Sequence, residues 1–248
     1  KGGKAFTNDG ISIKAENFEY NKILTTLISD GNVELRDSKK NIIIKANKIL
    51  YSKNNEIIIA EKNVELKDLK KNILIKADKI SYFKDQEKII ANKEVELKDL
   101  ELETIIRGDE ISYFKKEEKI IANKEVELID NKKDIFINTD RITYLKQKEK
   151  IFTEGQTIAS IHSKYNFFSK NVTFLKNEME LSSSYKTIIT DNTGSSYEVE
   201  NFNFQIKKEF LKASNISVIQ NTAAKIGESE RLFFESGFFD LKNKNFKT

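Results

Sequence analysis

Apolar and polar residues alternate along most of the chain in short runs. Between residues 73 and 97, Ile73, Ile75 and Ala77 fall at every second position, then Ile80 and Tyr82, Ile89 and Ala91, and Val95 and Leu97. β-Branched and aromatic residues dominate these positions, and a spacing of two puts them on one face of a strand. The alternation breaks in two ways. Ala77 to Ile80 is a step of three, which flips the face. Ala91 to Val95 keeps parity only by turning Lys93 inward, so Ala91, Asn92 and Lys93 read as a corner. The polar stretches 84–87 and 68–72 read as turns. The pattern predicts strands bent in the middle, joined by tight turns, with antiparallel neighbours.

The pattern also repeats. Tyr20, Tyr51, Tyr82, Tyr113 and Tyr144 are each 31 residues apart, and so are Asp37, Asp68, Asp99 and Asp130. The phase shortens by one residue near Lys170 and resumes with Phe174, Phe204 and Asp191; a looser unit ends the chain at 238–246. This gives about seven to eight units of 31 residues. A helix-pair solenoid has a similar period, but the inner period of two excludes it. Each unit instead reads as two bent passes, and the stack as an all-β, repeat-built antiparallel β-jellyroll, V-shaped in section. The chain is expected to form a single continuous domain, 1–248, with regular repeats over 16–170 and divergent units over 171–248. Residues 222–231 read as an extended loop. Glu34, Glu65, Glu96 and Glu127 form a column of like charges. In a parallel β-helix they would stack about 4.8 Å apart; a two-pass unit doubles that and brings them near the screening length of about 8–10 Å.

Composition narrows the function. The chain has 248 residues, 38% hydrophobic and 33% charged, too patterned for disorder but too polar for a bulky globular core. It has no cysteine, which excludes disulfides and thiolate metal sites. The net charge of +4 comes from interleaved signs, without the basic face that nucleic acid requires. No apolar run reaches the length of a membrane-spanning helix. The opening KGGKAFTNDG lacks the apolar stretch of a secretory leader, so any leader is expected to have been removed. His162 has no second imidazole or thiol to join, no serine is paired with a base, and no glycine-rich phosphate loop is present. Neither an enzyme nor a metal or cofactor site is expected. The aspartate series reads as turn caps, because no D-x-D-x-D-G cluster accompanies it. The repeated tyrosines read as amphipathic residues whose hydroxyls reach water.

The pattern A-x-x-I-x-Y, a turn, then I-x-A-x-x-x-V-x-L-x-D appears as Ala77, Ile80, Tyr82, Ile89, Ala91, Val95, Leu97 and Asp99. It resembles the OstA/LptA-like family of lipopolysaccharide-transport proteins, well over residues 5–221 and loosely over 232–246. The later units look most like the stretch that precedes the barrel of the family's outer-membrane member. The chain departs from the family where turn glycines are common: Asn41, Asn72, Glu103 and Asp134 stand there. The resemblance implies a "β-taco" in the periplasm, associated with the outer membrane, whose apolar groove shields the acyl chains of lipopolysaccharide. The implied groove lining is Ile44, Ile49, Tyr51, Ile58, Ile75, Ile80, Tyr82, Ile89, Val95, Leu97, Ile106, Ile111, Tyr113, Ile120, Val126, Leu128, Ile137, Ile142, Tyr144 and Ile151. Implied partners are an LptA-like periplasmic bridge protein, an outer-membrane β-barrel (its own C-terminal domain or a separate protein) and that barrel's plug lipoprotein. The β-prone, proline-free stretch 5–15, with Phe6, Ile11, Ser12 and Ile13, is the expected docking edge. Two alternatives stand beside this reading: a stand-alone LptA-like bridge protein, and a structural or adhesive β-solenoid with a dry core.

Overall fold

The computed structural model describes residues 2–220, 230–243 and 245–247. The described chain is nearly all strand. Two 3-10 turns, Lys146–Lys148 and Ile206–Lys208, are the helical segments among the described residues. The stretch read as an extended loop falls mostly outside the described residues, although Glu230 and Arg231 open a strand.

The chain divides into two compact units, Lys1–Lys124 and Glu125–Thr248. The first begins with three short strands, β1 (Gly3–Phe6), β2 (Ile11–Ala15) and β3 (Asn17–Asn21). Six long strands follow: β4 (Thr26–Asp37), β5 (Ile42–Ser52), β6 (Ile57–Asp68), β7 (Ile73–Phe83), β8 (Lys88–Asp99) and β9 (Thr104–Phe114). Each long strand pairs antiparallel with the next. The unit boundary falls inside β10 (Lys119–Asp130). The second unit continues with β11 (Ile135–Leu145), β12 (Lys150–Ile161), β13 (Tyr165–Lys170), β14 (Thr173–Leu175), β15 (Glu180–Ser183) and β16 (Thr187–Asp191). It closes with β17 (Ser196–Gln205), β18 (Phe210–Gln220), β19 (Glu230–Asp240) and β20 (Asn245–Lys247). β13 to β16 are half-length pieces: β12 pairs with both β13 and β14, and β17 with both β15 and β16.

Every long strand is bent where the sequence loses its alternation. In β6 and β8 two successive residues adopt positive φ, Lys62 and Asn63 (65° and 53°) and Lys93 and Glu94 (65° and 48°). The corner thus lies one residue beyond the predicted Ala91–Lys93. The register against each neighbour slips there, between Glu61 and Val64 and between Asn92 and Val95. The first corner position recurs as Gly31, Lys62, Lys93, Lys124 and Gly155, all with φ between 63° and 93°. Left-handed backbone costs a side chain roughly 1–2 kcal/mol, so glycine is the natural occupant and three lysines carry strain. At Gly155 a Cβ would also lie 2.1 Å from Asp140 Oδ2, so the exposed Asp140 side chain would have to shift. The predicted turns are also present, and Asn41, Asn72, Glu103 and Asp134 all hold positive φ, with Glu103 at 50°.

The outer face explains how the glutamate column is tolerated. Register places a cation opposite three of the four glutamates: Glu34 with Lys45, Glu65 with Lys76, and Glu96 with Arg107. The corresponding ion pairs span 3.7, 3.9 and 3.0 Å. Exposed pairs of this kind contribute about 0.2–1 kcal/mol each, and they remove the like-charge contact.

The corner strain gives a direct prediction. Lys93→Gly should raise stability by up to about 1 kcal/mol, since relief of left-handed strain exceeds the added freedom of the unfolded chain. Urea denaturation checks it; a loss of stability would show that the lysine side chain itself holds the corner.

Candidate functional site

The bend turns each strand into two limbs whose inner faces are apolar. In the first unit, register lines up Ile44, Leu66, Ile75, Leu97 and Ile106 across β5 to β9 on one limb. On the other it lines up Tyr51, Ile58, Tyr82, Ile89 and Tyr113. Each predicted lining residue is buried; those from Ile44 to Ile120 belong to the first unit, and Val126, Leu128, Ile137, Ile142, Tyr144 and Ile151 to the second. None exceeds 3% exposure, so the interior is closed to water.

The second unit buries Phe174 and Phe204, where the repeat phase resumes, and adds interior residues that the pattern did not single out. Phe167 stacks on Phe202 with ring centroids 5.5 Å apart, and Tyr165 meets Phe204 edge-on at 5.4 Å. Leu181, Ile189 and Val218 are also fully buried. The missed signal was the continued alternation over 165–204 after the one-residue phase slip. This unit also buries hydroxyls on one another, with Thr153 Oγ1 2.7 Å from Thr157 Oγ1 and Ser169 Oγ 2.7 Å from Thr187 Oγ1.

The tyrosine expectation needs correction. Tyr82, Tyr113 and Tyr144 are fully buried, and Tyr51 nearly so. The Tyr51 hydroxyl donates to Asp9 at 2.8 Å and that of Tyr113 to Asp68 at 3.4 Å. Burial first, then nearby carboxylates, push the phenols of Tyr51, Tyr82 and Tyr113 well above the ordinary range. They stay neutral, and Tyr51 and Tyr113 serve as donors at the ends of the apolar rows.

Those rows end at two rims. One rim carries the turns that follow Asp37 and Asp68; the other carries the turns that begin at Lys84 and Lys115. The aspartates cap their turns as expected: Asp68 Oδ1 accepts from the backbone N–H groups of Lys70 and Lys71 at 3.2 Å. Asp99 Oδ1 does the same for Glu101 and Leu102 at 3.1 Å. Their other oxygens make a contact that the sequence did not reveal. A straight strand of the 11-residue length of β9 would hold the rims about 33 Å apart. Instead Lys115 Nζ lies 3.1 Å from Asp68 Oδ2 and donates to the Lys40 carbonyl at 3.0 Å. One repeat earlier, Lys84 Nζ lies 2.7 Å from Asp9 and 3.7 Å from Asp37. Reciprocal pairs run the other way, Lys40 with Glu87 and Lys71 with Glu118. In the second unit Lys176 pairs with Asp130 at 2.9 Å, and Lys164 pairs with Glu209.

The rims are therefore stitched by charge. The hydrogen bond from Lys40 holds the Glu87 carboxyl below its ordinary range against the opposing effect of burial. Burial pushes the Asp9 carboxyl up, but bonds from Lys84, Thr7 and Tyr51 outweigh it and hold the group well below the usual carboxylate range. Among the described residues no group of three or more His, Asp and Glu side chains is arranged to hold a metal ion.

The predicted docking edge is also corrected. β2 is not an edge: Ser12 pairs with Phe6 on one side and Arg36 on the other, and Ile11 and Ile13 are buried. Of the four residues, Phe6 alone lies on a terminal strand, where it is 75% exposed. β3 ends the other limb. Its Phe18 and Tyr20 stand in register with Ser29 and Leu27 of β4, in rows that continue inward to Ile49 and Tyr51, yet both rings are exposed.

Residues 12–119 match the family model LptD_N, described as the LptA/(LptD N-terminal domain) LPS transport protein. A comparison with curated proteins finds no match. Among solved structures, one likeness is to the crystal structure of LptH, the LptA-homologous periplasmic component of the conserved lipopolysaccharide transport device from Pseudomonas aeruginosa. It has a TM-score of 0.40 and 16% identity, and covers 47% of this chain and 86% of that one. The family match places this segment with the OstA/LptA-like repeats that the sequence resembles.

The rim pairs yield a measurable coupling. Lys115→Met leaves the Asp68 carboxylate buried and unpaired, and should cost about 3–5 kcal/mol. Adding Asp68→Asn keeps the turn cap while removing the charge, so the double variant should regain much of that loss. Urea denaturation of the four-member cycle checks it; simple additivity would show that the pair is not coupled.

Proposed function

We propose that the chain is a periplasmic module of lipopolysaccharide transport, in which the apolar interior shields acyl chains on their way toward an outer-membrane barrel. The observation that carries this reading is the family match over residues 12–119. The inner faces support it: both limbs present aliphatic and aromatic side chains with few polar atoms, a lining that suits hydrocarbon chains. In the closed arrangement these faces fill each other, so lipid entry requires the limbs to part. The left-handed corners are the natural hinges, and the rim ion pairs are what must yield.

A partner is proposed at the terminal strands of the first unit. β1 pairs on one side with β2, and β3 on one side with β4. Among the described residues each therefore leaves its other edge unpaired, and Phe6, Phe18 and Tyr20 leave apolar surface exposed beside it. Strand addition by a second jellyroll, the periplasmic bridge protein, would continue the inner rows.

A second reading is favoured by one observation. The lining residues are closed to water, which is also how a structural β-solenoid with a dry core would look.

Photo-crosslinkers separate the two. Placed at Ile75 or Ile89 in cells making lipopolysaccharide, they should capture it, while those at Glu65, Glu96 or Lys98 should not. A crosslinker at Phe6 should capture the bridge protein. Equal capture, or none, at the inner and outer positions would favour the dry-core solenoid.

A further inference from the structure

The stitched rims of the first unit form an open cavity of about 490 Å³. Its lining holds six lysines, Lys39, Lys40, Lys70, Lys71, Lys115 and Lys116, against two carboxylates, Asp68 and Glu87. We propose that this cavity is a binding site for a phosphate monoester, the dianion exchanging with the rim carboxylates for the lysine ammonium groups.

Two observations carry it. First, the cations come from three turns and converge. Lys39 and Lys40 lie on one turn, Lys70 and Lys71 on the next of the same rim, and Lys115 and Lys116 on the opposite rim. Lys115 is buried and fixed by Asp68 at 3.1 Å and the Lys40 carbonyl at 3.0 Å. Lys40 and Lys71 are held by Glu87 and Glu118, whereas Lys39, Lys70 and Lys116 are exposed. A compact dianion with several acceptor oxygens matches such a set of donors.

Second, the charge is local although the architecture repeats. Shifted back by 31 residues, three of the six lysine positions become Asn8, Asp9 and Asp85. Shifted forward by 31, three become Glu101, Leu102 and Gln147. Fold maintenance would need the same residues in each repeat, as it does for the buried lysine and its aspartate. Lysine at all six positions goes beyond that need.

The site goes beyond the lipid reading, because it could take the phosphate of an amphiphile's headgroup or a free anion. The test uses calorimetric titration of the full chain with dodecyl phosphate, dodecyl maltoside and inorganic phosphate, at low and high salt. Lys39→Ala/Lys70→Ala/Lys116→Ala removes three cations while sparing the rim pairs. Lys14→Ala/Lys22→Ala/Lys45→Ala, on exposed positions elsewhere in the unit, matches the change in charge. We expect the first triple variant to lose about tenfold in dodecyl phosphate affinity, with dodecyl maltoside unchanged and the control close to wild type. The wild-type affinity should fall with salt. Tighter binding of dodecyl phosphate than of inorganic phosphate identifies a headgroup site; equal binding identifies a soluble phosphate. Either supports the cavity as the site. Equal losses in both triple variants, or no preference for phosphate over maltoside in wild type, would overturn it. If phosphate binds at the lysines while crosslinkers at Ile75 and Ile89 capture no lipid, the transport reading fails and the anion site stands. If lipid is captured but the phosphate preference is absent, the reverse holds.

Discussion

The structure depends on one constraint: each long strand must turn a corner without losing its inward face. A strand alternates its side chains strictly, so a simple bend would send the apolar row of one limb outward. Two left-handed residues at the corner, as at Lys62–Asn63 and Lys93–Glu94, absorb the mismatch through a slip in register. Both limbs then present apolar residues to one interior. Repeating the same corner every 31 residues keeps each strand in step with its neighbours, so the strain recurs in successive units and is offset by burial along both limbs. Burying an isoleucine stabilises by roughly 1.5–3 kcal/mol, more than a left-handed lysine costs.

The same bend creates the charged rims. Bringing the strand ends together places Asp68, at the end of β6, and Lys115, just after β9, within 3.1 Å. Both groups are nearly removed from water. A buried ion pair adds little net stability, because the desolvation of each charge roughly cancels their attraction. Its effect is on specificity: an open mouth would leave each charge either solvated or unpaired, so the paired state defines one closed geometry. The tyrosines join this arrangement, with Tyr51 and Tyr113 adding neutral donors to Asp9 and Asp68. The interior is thus apolar along the limbs and polar only where the limbs meet.

Much of this was written in the sequence. Alternation of Ile, Val, Ala and Tyr reports a strand with one buried face, because the strand period is two. The three-residue step from Ala77 to Ile80 reports a bend, because only a change of backbone conformation can keep both residues inside. The 31-residue spacing of tyrosine and aspartate reports stacking, and the burial of the residues named from Ile44 to Ile151 was legible from that pattern. Local rules also gave the turn caps, since an aspartate before a polar turn needs nothing beyond its own neighbours.

Tertiary structure decided what depends on distant parts of the chain. Whether the Tyr82 hydroxyl meets water is set by the opposite limb, and no local pattern records it. Lys84 and Lys115 look like ordinary turn lysines; their partners Asp37 and Asp68 lie 47 residues earlier, across the mouth. β2 looked like an edge because its stretch is β-prone and free of proline, but β1 folds back on it and takes that place. The six-lysine cavity gathers three turns that are polar and unremarkable one by one. Periodicity is a property of neighbours along the chain, so the sequence determined the strands, their faces and their stacking. Closure brings together residues with no sequence relation beyond the repeat, so only the folded chain decided which charges meet and where the edges lie.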